Sequence, residues 1–202
     1  METLQFRIEE ESEKNKEMSK FSEKYIPPII VNDGASFKDE RGWFSPLSAL
    51  DGTCQVNVSV SKPGTVRGMH WQIKHPQPKL VSCLTGRIHD VCVDMRKSSP
   101  TFKKIFEFEL NCGTGEQLYV PAGFAHGFEV IGDKPAMMLY LINVEYDAND
   151  ECGFLWNSID AHWQTKPADA IVSKKDGKMM KFEEIFKSDE NILKLPEWAA
   201  CE

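Results

Sequence analysis

Two histidines of this 202-residue chain sit where they could do chemistry. His70 follows Arg67, Gly68 and Met69, just after an alternating segment and a Lys62-Pro63-Gly64 turn; Lys79 lies nine residues further on. An imidazole titrates near neutral pH, so it can accept a proton and return one. A neutral base beside two cations, Arg67 and Lys79, suits an anionic substrate, since the cations can hold the anion. His126 stands in residues 121–127 (PAGFAHG), whereas His75, His89 and His162 have no comparable setting and read as structural or surface imidazoles. The six cysteines, Cys54, Cys83, Cys92, Cys112, Cys152 and Cys201, include no pair at CxxC spacing, which argues against a zinc knuckle. In a reducing compartment they read as small buried hydrophobes.

The elements that must position these side chains are short strands. Residues 55–61 (QVNVSVS) alternate strictly, with Val56, Val58 and Val60 on one face and polar residues on the other. Residues 106–110 alternate Phe, Glu, Phe, Glu, Leu, and residues 87–95 and 117–120 are rich in β-formers. Turn signals separate them at 62–64, 85–86, 98–100, 112–115 and 121–123. Many short strands at this spacing predict a sandwich, barrel or jelly roll, and a helical pattern appears only at 182–194. Alternation along such strands would aim several of the candidate residues at one interior face. The first 24 residues stand apart: seven Glu, four Lys and one Arg make them a charged N-terminal extension to a single domain over 25–202. The formal net charge of −7 disfavours a nucleic-acid partner but leaves room for a small anion held by a few local cations. The longest mainly apolar run, 136–144, is far short of the ~20 residues that span a bilayer, so no membrane association is expected. The N-terminus has no apolar leader, and a cytoplasmic location is expected.

Residues 115–126 fit the second motif of cupin jelly-roll barrels, GxxxxxPxGxxH, through Gly115, Pro121, Gly123 and His126. The matching first-motif region, Gly68-Met69-His70-Trp71-Gln72, has one histidine and none two residues later, so a three-histidine metal site is not supported and no metal is expected. Several further stretches resemble the dTDP-4-dehydrorhamnose 3,5-epimerase family of cupin-type sugar-nucleotide epimerases. They are FKDERGWF (37–44), VRGMHWQ (66–72), PKLV (78–81), IHDVCVDMRKSSPTF (88–102), QLYVPAGFAHGF (117–128), Leu139-Tyr140 and SKKD (173–176), in the family's order and spacing. Motifs in register over most of the chain are far more specific than any one of them.

The resemblance implies an all-β, cupin-type jelly-roll β-barrel with a few short peripheral helices, acting as a homodimer. It implies a nucleotide-linked 4-keto-6-deoxyhexose, of dTDP or GDP type, and deoxysugar or surface-polysaccharide biosynthesis. The C4 ketone acidifies the C3 and C5 protons, so inversion at either carbon proceeds through an enolate without a cofactor. It implies His70 as base, Asp176 as the carboxylate that orients it, Lys79 facing the C4 oxygen, and Tyr140 as acid on the opposite face. Arg41 and Arg67 match diphosphate-contacting positions, Phe37, Gln55 and Asn57 match positions near the nucleoside, and His126 matches a pocket histidine. The chain departs from the family at Pro46, Val58, Ser82 and Leu141, and has Glu145-Tyr146 where paired aromatics are usual. The chemical residues survive, so recognition of base and sugar is where a shift is expected. A 3,4-ketoisomerase would tend to carry a second histidine where Gln72 stands. A non-catalytic sugar-nucleotide-binding cupin would have no need to keep His70, Lys79, Tyr140 and Asp176 together.

Overall fold

A computed structural model describes residues 26–31 and 36–187. The charged extension at 1–24 lies outside the described residues, as does the part of the 182–194 helical pattern beyond 187. The turn residues divide the chain into short strands, and those predicted from alternation or from β-forming residues are present: Gln55–Ser61 (β4), Arg87–Asp94 (β7), Ile105–Asn111 (β8) and Gln117–Val120 (β9). The others are Ile29–Val31 (β1), Phe37–Asp39 (β2), Gly42–Phe44 (β3), Val66–Gln72 (β5), Lys79–Thr85 (β6), Phe124–Val130 (β10), Ala136–Ile142 (β11) and Glu151–Gly153 (β12).

Two five-stranded antiparallel sheets face each other, in the orders β1-β9-β6-β11-β4 and β12-β5-β10-β7-β8. From β4 to β12 consecutive strands alternate between the sheets, except that β7 and β8 pair within the second, in the manner of the expected jelly roll. Val81, Leu118, Val120 and Met138 of the first sheet pack against Ile88, Leu110, Phe124 and Phe128 of the second, filling one end of the interior. The second sheet also buries its back. Val66, Met69, Val91 and Val93 pack against Phe154, Trp156, Phe182 and Ile185 of the C-terminal segment. That segment is irregular apart from 3-10 turns at Trp156–Ser158 and Asp176–Lys178 and one α-helical turn at Phe182–Ile185, which are the short peripheral helices expected.

The C-terminal segment is tied down by polar contacts as well. Glu129 of β10 is fully buried and accepts the backbone N–H groups of Gln164 and Thr165 at 2.7 and 2.8 Å. His89 lies between Glu129 (3.0 Å) and Glu107 (2.9 Å), one carboxylate on each ring nitrogen, and Glu107 also holds His162 at 2.7 Å. Two acceptors require two ring donors, which only the imidazolium supplies. Burial opposes that charge, but the two carboxylates outweigh it and raise the His89 pKa. The expectation for the cysteines is met in part: Cys83 and Cys92 are buried, but Cys54 and Cys112 are exposed because they lie at a strand approach and in the β8–β9 turn. All five cysteines among the described residues are free thiols.

The outer face of β4 reverses the usual arrangement. Val56, Val58 and Val60 are 58–59% exposed, while Gln55, Asn57 and Ser59 point inward. β4 is also an edge strand. Among the described residues no helix is long and apolar enough to cross a membrane.

Glu129→Ala would leave two backbone N–H groups and a buried imidazole without their acceptor. We expect a loss of about 3–5 kcal/mol, read as a lower urea midpoint with an unchanged slope. An effect within about 0.5 kcal/mol would show that the 162–165 attachment carries little of the fold's stability.

Candidate active site

His70 reaches the interior through an irregular strand. On a regular strand Arg67 and His70, three residues apart, would face opposite sides. The β5–β10 register shifts between His126 and Phe128, so both side chains line the same cavity. Glycines make the shift possible. Gly68 has φ +106°, and a Cβ there would lie 2.7 Å from Gly127 Cα and from the His126 carbonyl oxygen. His70 pairs with His126, and His126 with Cys92, so the three residues form a lateral row across β5, β10 and β7.

The second partner of His70 arrives from more than a hundred residues away. After β12, the chain runs back along the free edge of β5, where the Val66 N–H donates to the Ile171 carbonyl at 3.0 Å. This run ends in the 3-10 turn that begins at Asp176. Asp176 Oδ1 lies 2.8 Å from His70 Nε2, and its Oδ2 accepts the Gly68 N–H at 3.3 Å. Asp176 is 4% exposed. Burial disfavours its charge, but hydrogen bonds from His70, Gly68 and Ser173 outweigh burial and hold the carboxyl below its ordinary range. The carboxylate places the His70 proton on Nε2 and leaves Nδ1 as the acceptor.

Nδ1 faces Glu151 Oε1 at 3.7 Å. Glu151 is held by the Tyr146 hydroxyl at 2.9 Å and by an ion pair with Lys175. Once His70 takes a proton, the imidazolium has a carboxylate on each side. Glu151 was not legible as a site residue, because nothing in its local sequence marks it. Only the pairing of β12 with the end of β5 brings it there.

Two adjoining cavities share His70, Lys79, Tyr140, Tyr146 and Glu151. The larger, about 600 Å³, adds Arg67, His126, Lys175 and Asp176; the smaller, about 280 Å³, adds Gln55, Asn57 and Gln77. Lys79 opens β6, and Tyr140 stands on β11 opposite Asn57 of β4. Burial lowers the Lys79 pKa, against the opposing effect of Cys92 and Asp90. Burial raises that of Tyr140, with Arg67 pulling the other way, so its hydroxyl stays a proton donor at neutral pH. Arg67 is held to Ser61 Oγ at 3.0 Å. His126 Nε2 is tied to both Asp90 oxygens, at 2.8 and 2.9 Å.

The structure thus brings His70, Asp176, Lys79, Tyr140, Arg67, Gln55, Asn57 and His126 together. It does not bring in Arg41 or Phe37. Both lie on the β2–β3 hairpin, where Arg41 pairs with Asp39 and Phe37 is 64% exposed, stacked on Phe44.

A histidine paired with a buried carboxylate, an ammonium and a phenol line one cavity on a jelly roll, which defines the class as a cupin-type barrel. The sequence profile of the family described as dTDP-4-dehydrorhamnose 3,5-epimerase matches residues 23–184. A dTDP-4-dehydrorhamnose 3,5-epimerase of Shigella flexneri is 37% identical over 170 residues, 78% of this chain and 92% of the relative. The crystal structure of the enzyme of that name from Elizabethkingia anophelis superposes with a TM-score of 0.71 at 36% identity, covering 81% of this chain and 96% of the other. The dTDP-6-deoxy-D-glucose-3,5-epimerase of Legionella pneumophila, solved in complex with dTDP-4-keto-L-rhamnose, superposes with a TM-score of 0.73 at 29% identity, covering 86% and 100%. The chain belongs to the dTDP-4-dehydrorhamnose 3,5-epimerase family, which makes it an isomerase of the epimerase type.

Asp176→Asn tests the charge on the orienting carboxylate. A lowered folded-state pKa contributes stability that is present above the ordinary carboxyl value of 3.8 and is lost as pH falls through the folded value. We expect the variant to be about 1.5–3 kcal/mol less stable than the parent at pH 7, with the gap closing below about pH 4. A gap that stays constant from pH 7 to 3 would show that the carboxylate's charge is not what stabilises the pair.

Proposed function

We propose that this chain epimerises C3, C5 or both in a nucleotide-diphosphate-linked 4-keto-6-deoxyhexose, in the cytoplasm, as a step of deoxysugar or surface-polysaccharide biosynthesis. The observation that carries this reading is the convergence of the His70–Asp176 pair, Lys79 and Tyr140 on one cavity. In this reading His70 Nδ1 takes the proton from the carbon next to the ketone. The C–H electron pair moves into the carbonyl, and Lys79 stabilises the resulting enolate oxygen. Tyr140 gives a proton to the other face, and solvent later restores Tyr140 and removes the proton from His70. Asp176 and Glu151 flank the imidazolium while it exists. In this reading Arg67 and Lys175, which line the larger cavity, serve the diphosphate, and Gln55 and Asn57, which line the smaller, serve the nucleoside. The relative bound to dTDP-4-keto-L-rhamnose favours dTDP over GDP as the nucleotide.

Incubation in deuterated water with dTDP- and GDP-linked 4-keto-6-deoxyhexoses, followed by NMR at C3 and C5, tests the chemistry. The parent should exchange and invert. His70→Ala should abolish exchange, Lys79→Ala should slow it about 10²–10³-fold, and Tyr140→Phe should keep exchange but lose inversion. Near-normal turnover by His70→Ala would remove His70 from the role of base. Tight binding with no exchange would favour the non-catalytic binding reading.

We also propose that two copies associate through the outer face of β4. A seven-residue edge strand exposing three valines is a surface that an isolated chain would leave open to pairing. The β2–β3 hairpin lies outside its own cavity and exposes Phe37, Trp43 and Phe44, so in a dimer Arg41 and Phe37 are free to serve the partner's nucleotide. Val58→Arg should convert a dimer into a monomer in sedimentation velocity; a parent that sediments as a monomer refutes the proposal.

A further inference from the structure

The inner wall of the second sheet carries a donor cluster that the proposed epimerisation leaves without a chemical role. Asp90 and Cys92 of β7 and His126 of β10 point inward side by side, and one potential ligand atom from each lies within 4.8 Å of the others. Cys92 Sγ stands 3.7 Å from Asp90 Oδ1, and His126 Nε2 stands 2.8 Å from Asp90 Oδ2. Asp90 and Cys92 are fully buried, whereas His126 lines the larger cavity. We infer that Asp90, Cys92 and His126 form a binding site for a thiophilic divalent cation of the zinc type, with its fourth position open to the substrate cavity, and that occupancy inhibits the enzyme.

Three arguments support the site. Zinc bonds of about 2.0–2.3 Å in a tetrahedron separate ligand atoms by roughly 3.3–3.7 Å. The Cys92–Asp90 spacing of 3.7 Å already meets that, and His126, 2.8 Å from Asp90, would withdraw by about half an ångström to meet it on the Asp90 side. The charge balances too: one carboxylate and one thiolate neutralise a divalent ion, so the occupied site is neutral within a buried wall. Finally, a nitrogen, oxygen and sulfur donor set selects zinc or cobalt over magnesium or calcium. Binding is an exchange of ion for proton. The Cys92 thiol proton leaves to solvent, the His126 proton shifts to Nδ1, and the lone pairs so freed bind the metal. This set is not the three-histidine arrangement the motif lacks, since two of its members come from β7.

The inhibitory part rests on the epimerase reading. Lys79 of β6 lines the same cavity as His126. A divalent ion takes up the charge of Asp90, so the ammonium that holds the enolate oxygen loses its neighbouring counter-charge. It also fills space at the cavity wall.

The test titrates Co²⁺ into the chelator-stripped full chain and follows the visible and near-ultraviolet spectra. We expect one cobalt per chain in tetrahedral geometry, a thiolate-to-cobalt charge-transfer band, displacement by Zn²⁺, and one proton released per ion. Cys92→Ala should lose the band and the released proton while keeping a cooperative melt, lowered only by the small cavity it leaves. Asp90→Asn, which keeps the side-chain shape, should weaken binding about 100-fold or more. Cys54→Ser and Cys112→Ser should change nothing. A band that survives Cys92→Ala, or that disappears with either exposed cysteine, would assign the metal to an adventitious surface thiol and overturn the site. In turnover assays Zn²⁺ should slow the parent but not Cys92→Ala, whose basal rate should equal the parent's. Cobalt binding without zinc inhibition would overturn the inhibitory role alone. A chain without epimerase activity would still be tested by the spectra, so the two readings fail separately.

Discussion

The hydrogen bond between His70 and Asp176 is the interaction on which the rest of the site depends. It joins residues 106 positions apart and requires the C-terminal segment to pass along the free edge of β5. That passage in turn depends on the apolar back of the second sheet, where Phe154, Trp156 and Phe182 hold the segment down. It depends equally on Glu129, whose carboxylate takes up backbone donors that an irregular segment would otherwise bury unpaired. The stability of the outer layer and the tautomer of the imidazole inside the barrel are therefore one structural problem.

Close approach is the second condition. β5 and β10 come together at Gly68 and Gly127, where a Cβ on either would collide with the other strand's backbone. The resulting register shift turns Arg67 into the cavity with His70. A regular ladder would have left one of the two outside. The irregularity thus places a cation and an imidazole on the same wall, and the facing sheet contributes Lys79 and Tyr140 from strands that are regular there.

A jelly-roll interior is an expensive place for charge, and this one divides its volume accordingly. One end is closed with aliphatic and aromatic side chains. At the other, nearly every ionisable group has a partner: Asp176 for His70, Asp90 for His126, Ser61 for Arg67, Lys175 and Tyr146 for Glu151. Burial moves the pKa values of both Lys79 and Tyr140 towards the neutral form. Such groups cluster where proton transfer is carried out.

The sequence by itself determined four of the strands, because alternation, β-forming residues and turn residues act over a few positions: QVNVSVS reads as β4 without any neighbour. Motif order was also enough to name most of the site, including Asp176, whose local setting before Gly177 marks only a turn. Other features were beyond its reach. Alternation could not say that the valines of β4 face outward and its Gln and Asn inward, since that depends on what the sheet packs against. It could not bring Glu151 to His70, or set Asp90 and Cys92 against His126, because those neighbours are chosen by strand pairing. Arg41 and Phe37 matched a motif, yet the fold holds them on an outer hairpin. Local pattern decides which residues form a strand, whereas the distances that make a base, a counter-charge or a ligand set arise only when strands remote in sequence are closed into one barrel.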